Sequence, residues 1–197
     1  MSLILSRRPQ ERPIRPPVYR ALVETTAGRF EIEVHREWSP QGADRFYDLA
    51  TERYYDDSRF FRVVPGKWVQ FGIAGDPAVA QAWRGKTIAD DTLVQSNTLG
   101  FVAFAHIGPG TRSSQVFINL GDNSAQNDRE PGFAPFGKVI AGMDVVTRLY
   151  SGYGETSGGG MRGGRQDAMF AEGNRWLDTN FPKLDRLIRL EVAGARH

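Results

Sequence analysis

The sequence predicts a single domain dominated by antiparallel β-structure. Short apolar runs alternate with polar residues or are bounded by turn residues, and the 197 residues include 22 glycines and 11 prolines, which is typical of many short strands and turns. Strands and helices do not alternate as they do in a parallel α/β fold. A chain of this length can bury a substantial core in one domain.

The first segment, residues 1–17, is rich in proline and arginine and has no apolar periodicity. We expect it to be an extended or disordered arm, although its unusual composition is also consistent with an expression leader. Residues 18–197 then form the domain.

The next two elements are a hairpin and a helix. Apolar and polar residues alternate on both sides of the Ala-Gly pair at 27–28, which predicts a hairpin over 19–35 with one solvated face. Ser39 is a favourable N-cap, Pro40 suits the first helical turn, and apolar residues follow at helical spacing. We therefore expect an amphipathic helix after the hairpin.

The stretch FFRVVPGKWVQFG, residues 60–72, predicts two short strands about a Pro-Gly turn. Each strand carries one large polar residue, Arg62 and Gln70, where a buried strand would favour Val or Ile. Residues 73–98 have little periodicity and predict a long ordered loop.

The remaining elements are strands at 100–106, 115–120, 134–140 and 186–194, a second helix at 142–150 and a flexible Gly-rich loop at 151–166. Seven or eight strands and two principal helices favour a closed antiparallel barrel plugged by the helices, because closure leaves no strand edge unpaired. A β-sandwich is the alternative.

Composition argues against several classes of partner. The formal net charge of +2 is too small to indicate a nucleic-acid surface. No run approaches the roughly 18 apolar residues that span a bilayer, so we expect a soluble protein without membrane partners. Its compartment stays open, cytoplasmic or exported.

The motifs of covalent and metal-assisted catalysis are missing from the sequence. It has no cysteine, no nucleophile elbow, no phosphate-binding Gly motif and no metalloprotease motif. Its three histidines, at 35, 106 and 197, are widely separated. We expect no cofactor and no metal, and any enzyme activity should be non-covalent.

Three blocks of the sequence together resemble the cyclophilin-type peptidyl-prolyl cis-trans isomerases. They are FFRVVPGKWVQFG, FAHIGPGTRSSQVFINL and FAPFGKVIAGMDVV, in the family's order and with similar spacing, and the resemblance extends from about residue 19 to 192. It implies a closed eight-stranded antiparallel β-barrel capped by two α-helices. It also implies an active site on the outer face of the barrel. We expect the protein to be a monomer.

The resemblance assigns roles to eight residues. It implies three catalytic residues: Arg62 as the catalytic arginine, Gln70 as the glutamine that positions this arginine, and Phe117 as the floor of the proline pocket. As substrate-binding residues it implies Trp68, Ala105, His106, Gln115 and Phe133.

The sequence departs from the family pattern at the rim of the implied pocket. Lys67 stands where an aromatic residue is common, Trp68 where the family often has Met, and His106 replaces the usual Asn. The loop at 121–132 has no Trp at the position that helps some members hold cyclosporin, so weak binding of that drug is expected.

We therefore predict a peptidyl-prolyl cis-trans isomerase that acts on Xaa-Pro bonds in peptides or unfolded proteins and assists folding. The alternative is a proline-peptide-binding or chaperone-like module with weak catalysis. A third hypothesis, a small-molecule carrier of the lipocalin type, requires an open apolar lumen in the barrel.

Overall fold

The computed structural model describes residues 15–158 and 166–194. Nearly all of the predicted N-terminal arm therefore lies outside the described residues. The first strand begins at Val18, where the predicted domain begins.

Within residues 15–158 and 166–194, one antiparallel sheet of nine strands forms the body of the protein. In chain order the strands are β1 (Val18–Thr25), β2 (Gly28–His35), β3 (Ser58–Arg59), β4 (Arg62–Val64), β5 (Trp68–Phe71), β6 (Phe101–Phe104), β7 (Val116–Asn119), β8 (Pro135–Ala141) and β9 (Arg186–Val192). Their spatial order is β3-β9-β1-β2-β8-β6-β7-β5-β4. The predicted all-β, antiparallel class is confirmed.

The prediction of eight strands in a closed barrel is wrong in one detail. The two edge strands, β3 and β4, are consecutive in the chain and are separated only by Phe60 and Phe61, which belong to no strand. Both side chains are fully buried in the main core, whereas successive residues of a regular strand point to opposite faces. Burying both phenylalanines interrupts the strand, and so the hydrogen-bond ladder does not close there.

The predicted hairpin over 19–35 is confirmed. All eight residues of β1 pair with β2, and the inward residues Phe30, Ile32 and Val34 are buried while their neighbours are partly exposed. The interior of the barrel is filled by such side chains, including Phe46 and Phe136. A lumen for a small-molecule ligand is therefore excluded, and with it the lipocalin-type hypothesis.

Among the residues that the structure describes, six helices surround the sheet, where the sequence predicted two principal helices. They are α1 (Pro40–Thr51), α2 (Pro77–Arg84), α3 (Ser124–Asn127), α4 (Met143–Thr147), α5 (Asp167–Glu172) and α6 (Asn174–Asn180). The two predicted helices correspond to α1 and α4. The segment 73–98 is irregular, as predicted, except at α2, where the loop prediction is wrong.

The sequence contains an N-terminal capping signal for α2, but the helix is too short to show a clear helical periodicity. The Asp76 carboxylate accepts a hydrogen bond from the Ala78 backbone N–H at 2.8 Å, and Pro77 occupies the first helical turn. Its partner is α5, which the Gln81 amide reaches through a 3.1 Å bond to the Phe170 carbonyl. A packing partner more than eighty residues away stabilises a helix too short to persist alone.

The N-terminus of α1 is capped by a distant carboxylate and not by Ser39. Ser39 is the N-cap residue, but its hydroxyl donates to Asp91 Oδ2 at 2.5 Å. The Asp91 carboxylate also accepts from the backbone N–H groups of Gln41 and Gly42 and from Arg112 Nη2. Asp91 thus joins the helix start, its serine and a buried arginine.

The segment 151–158 lies in the predicted Gly-rich loop and forms consecutive turns. The Ser157 hydroxyl donates to the Phe61 carbonyl at 2.5 Å, which ties this part of the loop to the barrel. Residues 159–165 of the predicted loop lie outside the described residues.

Within the described part of the chain, no helix combines the length and apolar character that crossing a membrane requires.

We predict that Asp91→Ala lowers the free energy of unfolding by about 3 kcal/mol, because it leaves the Arg112 charge buried beside orphaned helix N–H groups. Urea denaturation followed by circular dichroism measures this loss. Asp144→Ala, which removes an exposed carboxylate paired with Arg148, should cost much less. Equal losses in the two variants would contradict the capping role.

Candidate active site

A row of side chains crosses the outer face of the sheet. Arg62 on β4 lies opposite Gln70 on β5, Gln70 lies opposite Phe117 on β7, and Phe117 lies opposite Ala103 on β6. Cross-strand partners point to the same face of a sheet, so these residues are neighbours although they come from four strands. The register therefore places a cation, an amide and an aromatic ring side by side.

An apolar cluster separate from the main core forms the floor of this region. It consists of Trp68, Ala103 and Phe117, with Phe133 packed against them. The rings of Phe117 and Phe133 meet edge to face, with centroids 5.4 Å apart. His106 stacks on the other phenylalanine, Phe133, at 4.1 Å. The result is a shallow aromatic pocket on the outside of the barrel.

All of the site residues suggested by the sequence line one groove over this pocket. They are Arg62, Trp68, Gln70, Ala105, His106, Gln115, Phe117 and Phe133. Lys67 does not line the groove, and its ammonium lies 5.7 Å from the Trp68 ring centroid. The Trp68 ring also lies 4.7 Å from the Arg62 guanidinium carbon, in cation–π contact.

The Arg62 guanidinium is buried and held in one orientation. Its Nε donates to Glu155 Oε2 at 2.5 Å and its Nη2 to Glu155 Oε1 at 2.8 Å, while Nη1 donates to Gln70 Oε1 at 2.9 Å. The side chain is only 7% exposed. Three of its five N–H groups are thus engaged within the described residues, and one N–H on each terminal nitrogen is left for another acceptor.

A chain of amides continues from the arginine along the groove. Gln70 Nε2 donates to Gln115 Oε1 at 2.9 Å, and Gln115 Nε2 donates to Gln166 Oε1 at 2.9 Å. Because the Arg62 N–H must donate, the Gln70 oxygen faces it and the Gln70 NH₂ group faces onward. The amide orientations therefore follow from the charge at one end.

The sequence did not identify several residues that line the groove. Arg84 of α2 and Phe170 of α5 form one end of it, where the Arg84 guanidinium carbon lies 4.1 Å from the Phe170 ring centroid. Asn127, Gln166, Ile107, Thr111 and Ser113 complete the lining. The helix α5 and residue 166 lie beyond the three family-like blocks, and no local pattern marks them as site residues.

The charged side chains of the groove are largely paired. Arg62 is bonded to Glu155, and Arg84 Nη2 donates to Asp167 Oδ1 at 2.6 Å. Among the described residues, no group of three or more His, Cys, Asp or Glu side chains is placed to hold a metal ion. The groove presents oriented N–H donors and aromatic faces, a combination suited to binding an extended peptide.

Comparison with known proteins agrees with this geometry. The family model for cyclophilin type peptidyl-prolyl cis-trans isomerases matches residues 20–163. A peptidyl-prolyl cis-trans isomerase of Acinetobacter baylyi is 32% identical over 130 residues, covering 64% of this chain and 69% of the relative. The isomerase ppi1 of Schizosaccharomyces pombe is 33% identical over 135 residues, covering 64% of this chain and 82% of the relative.

Solved structures show the same fold. A cyclophilin type peptidyl-prolyl cis-trans isomerase of Cryptosporidium parvum superposes with a TM-score of 0.64 at 18% identity, covering 91% of this chain and 99% of that one. The same parasite protein, solved in the presence of the dipeptide Ala-Pro, gives a TM-score of 0.63. With the family model matching most of the chain, this protein belongs to the cyclophilin type peptidyl-prolyl cis-trans isomerases and is an isomerase of Xaa-Pro peptide bonds.

Proposed function

We propose that the groove holds the proline of a peptide against Phe117 and that Arg62 stabilises the twisted prolyl bond. The proposal rests on the burial and the hydrogen bonding of Arg62. Its guanidinium is buried and fixed by Gln70 and Glu155, yet two N–H groups have no acceptor among the described residues. A cation with spare, oriented donors at the edge of an aromatic pocket is suited to an acceptor that the substrate supplies.

The chemistry of the prolyl bond supplies such an acceptor. Delocalisation of the nitrogen lone pair gives the C–N bond partial double-bond character and a rotation barrier of roughly 18–20 kcal/mol. When the bond twists, the lone pair returns to the nitrogen, which becomes pyramidal and basic. A guanidinium N–H then donates to a nitrogen that accepts poorly in the planar ground state, and so it stabilises the transition state selectively.

One such bond accounts for only part of a large acceleration. A charge-assisted hydrogen bond contributes about 1.5–3 kcal/mol, which corresponds to about ten- to a hundredfold in rate. The remainder comes from holding the proline ring while the neighbouring carbonyl rotates. Phe117, Phe133 and Trp68 provide apolar walls for that ring.

The backbone at 105–106 is proposed to hold the peptide chain next to the proline. The Ala105 N–H is bonded to the Gln115 carbonyl at 2.9 Å, which fixes this segment beside the pocket. The His106 ring is stacked on Phe133, and its Nε2 lies 2.6 Å from the Gly132 carbonyl oxygen. With the ring anchored, the backbone of His106 and not its imidazole is presented to the substrate, and the usual Asn is not required.

The proposed substrates are proline-containing peptides and unfolded proteins, whose folding the enzyme would assist. The parasite relative was solved in the presence of the dipeptide Ala-Pro, which supports proline-containing peptides as the substrate class. Pairing of Arg62 and Arg84 with carboxylates leaves little free positive charge in the groove for nucleic acid. Because a single chain supplies every residue of the proposed site, we propose that it acts as a monomer.

We predict that Arg62→Ala lowers kcat/KM for cis/trans exchange of an Ala-Ala-Pro-Phe peptide at least about tenfold, the effect of losing one charge-assisted bond. Exchange NMR on the peptide measures the rate. Arg189→Ala, which removes an exposed ion-pairing arginine from β9, is the matched control and should retain full activity. A folded Arg62→Ala variant as active as the control would refute the proposed mechanism.

We also predict that Phe117→Leu raises KM for the same peptide at least about fivefold, because part of the apolar surface under the proline ring is lost. Phe101→Leu is the control, since that ring lies near Trp38 at 5.8 Å and outside the groove. An unchanged KM in Phe117→Leu would rule out Phe117 as the pocket floor.

The same assay tests the alternative function. Binding of the peptide to the unmodified protein without faster exchange would favour the chaperone-like module.

A further inference from the structure

Glu155 makes a two-point contact with the proposed catalytic arginine. Both carboxylate oxygens bond to Arg62, at 2.5 Å to Nε and 2.8 Å to Nη2. A carboxylate that accepts from two parallel N–H groups fixes the plane of the guanidinium as well as its position. No sequence motif identified this residue, which lies in the Gly-rich segment after α4.

The turn that carries Glu155 is itself anchored. The Tyr153 ring packs edge to face between Tyr150, at 5.2 Å, and Phe181, at 5.1 Å. The Tyr153 hydroxyl accepts from the Lys183 N–H, and the Tyr153 carbonyl accepts from the Thr156 N–H. The carboxylate is therefore presented by a braced turn, although its side chain is 48% exposed.

The end of the same turn lies directly against the arginine stem. A Cβ atom on Gly158 would come within 2.8 Å of Arg62 Cβ and 3.1 Å of its Cγ and Cδ, closer than packed atoms allow. Ser157 bonds to the Phe61 carbonyl, one residue before the arginine. The turn thus fixes the Arg62 backbone, stem and head group together.

We propose that Glu155 is a positioning residue that pre-orients Arg62 for the twisted prolyl bond. The inference rests on the proposed function, because it assigns to Glu155 an effect exerted only through Arg62. The long arginine side chain has many rotamers, and ordering it during each turnover would oppose catalysis. Bonds from Glu155 and Gln70 order it in advance while leaving one N–H on each terminal nitrogen for the substrate.

The alternative is that the Glu155 carboxylate inhibits the enzyme by neutralising the charge of Arg62, which we call a brake. The geometry favours positioning, because Glu155 occupies Nε and only one N–H of Nη2. A group competing with substrate would have to occupy the donors that the substrate needs, and the two remaining N–H groups are not bonded to any described residue. The two roles predict opposite changes in activity when the carboxylate is removed.

The chain offers an internal control for this contact. Arg59, the last residue of β3 and three positions before Arg62, is also buried and forms the same two-point bond, from Nε and Nη2 to Asp178 at 2.9 and 3.0 Å. Neither Arg59 nor Asp178 lines the groove. A variant of Asp178 therefore removes a two-point carboxylate contact from a buried arginine outside the site, while Arg59 Nη1 keeps its 3.1 Å bond to Asp57 Oδ1.

We predict that Gly158→Ala lowers kcat for the Ala-Ala-Pro-Phe peptide at least about threefold, because the new methyl group pushes the turn away from the Arg62 stem. Gly85→Ala is the matched control, since a Cβ there meets nothing within 4 Å. Exchange NMR measures both variants. Equal kcat values in the two would contradict close packing of the turn on Arg62.

The decisive experiment compares Glu155→Gln, Asp178→Asn, Arg62→Ala and the double variant Arg62→Ala/Glu155→Gln. We expect Glu155→Gln to lose about three- to tenfold in kcat with little change in KM, and the Arg62 Nε–H resonance to shift or broaden in the ¹⁵N spectrum. Asp178→Asn should lower the thermal midpoint but leave kcat unchanged. In the Arg62→Ala background, Glu155→Gln should have no further effect.

Each outcome discriminates between the hypotheses. Unchanged or raised kcat in Glu155→Gln overturns the positioning role, and a rise indicates a brake. If Glu155→Gln lowers kcat equally with Arg62 present and with Arg62→Ala, the effect does not act through Arg62 and the positioning role is overturned. A loss of kcat in Asp178→Asn would assign the effect to general destabilisation and would also overturn the positioning role. If Arg62→Ala alone is fully active, the proposed catalytic mechanism fails first; if Arg62→Ala is impaired while Glu155→Gln is not, only the inference about Glu155 fails.

Discussion

The site depends on the register of three neighbouring strands. Arg62, Gln70 and Phe117 become adjacent only because β4, β5 and β7 pair with those residues directly opposite one another. A shift of one residue in any pair would turn its side chains to the core face. The apolar residues between them, such as Val63 and Val69, fill the barrel interior, and their burial holds the register that the outer face uses.

Buried positive charge is the second constraint, and it joins the loops to the barrel. Three arginines are buried within the described residues, Arg59, Arg62 and Arg112. Each bonds to a carboxylate from a distant segment: Asp178 of α6, Glu155 of the turn after α4, and Asp91 of the long connection after α2. A buried cation without such a partner is strongly destabilising, so each pair holds its loop in place. At Arg62 the same requirement orients a proposed catalytic group.

The groove is a composite of the barrel and the segments that follow α4. The barrel supplies the aromatic floor and Arg62, while the later segments supply Glu155, Gln166 and Phe170. The amide chain from Gln70 through Gln115 to Gln166 links these two parts by hydrogen bonds. We therefore expect substitutions in the later segments to alter the proposed prolyl pocket, because these hydrogen bonds connect the two parts.

Local pattern alone determined the antiparallel class, the first hairpin and the helix at Pro40, because alternation and capping residues act over a few positions. Resemblance in three blocks then named the family and the eight groove residues. Neither could predict α2, α5 and the Glu155 contact, since these depend on partners tens of residues away.

The side of the sheet to which Arg62 points shows most clearly what strand alternation cannot predict. Simple alternation puts Arg62 on the same side as Phe60, which is fully buried, and would place a charge in the core. The family resemblance implied an outward Arg62, but only the tertiary structure shows how it arises. The strand is interrupted at Phe60 and Phe61, whose rings are both buried in the core, and Arg62 follows this break and lines the groove.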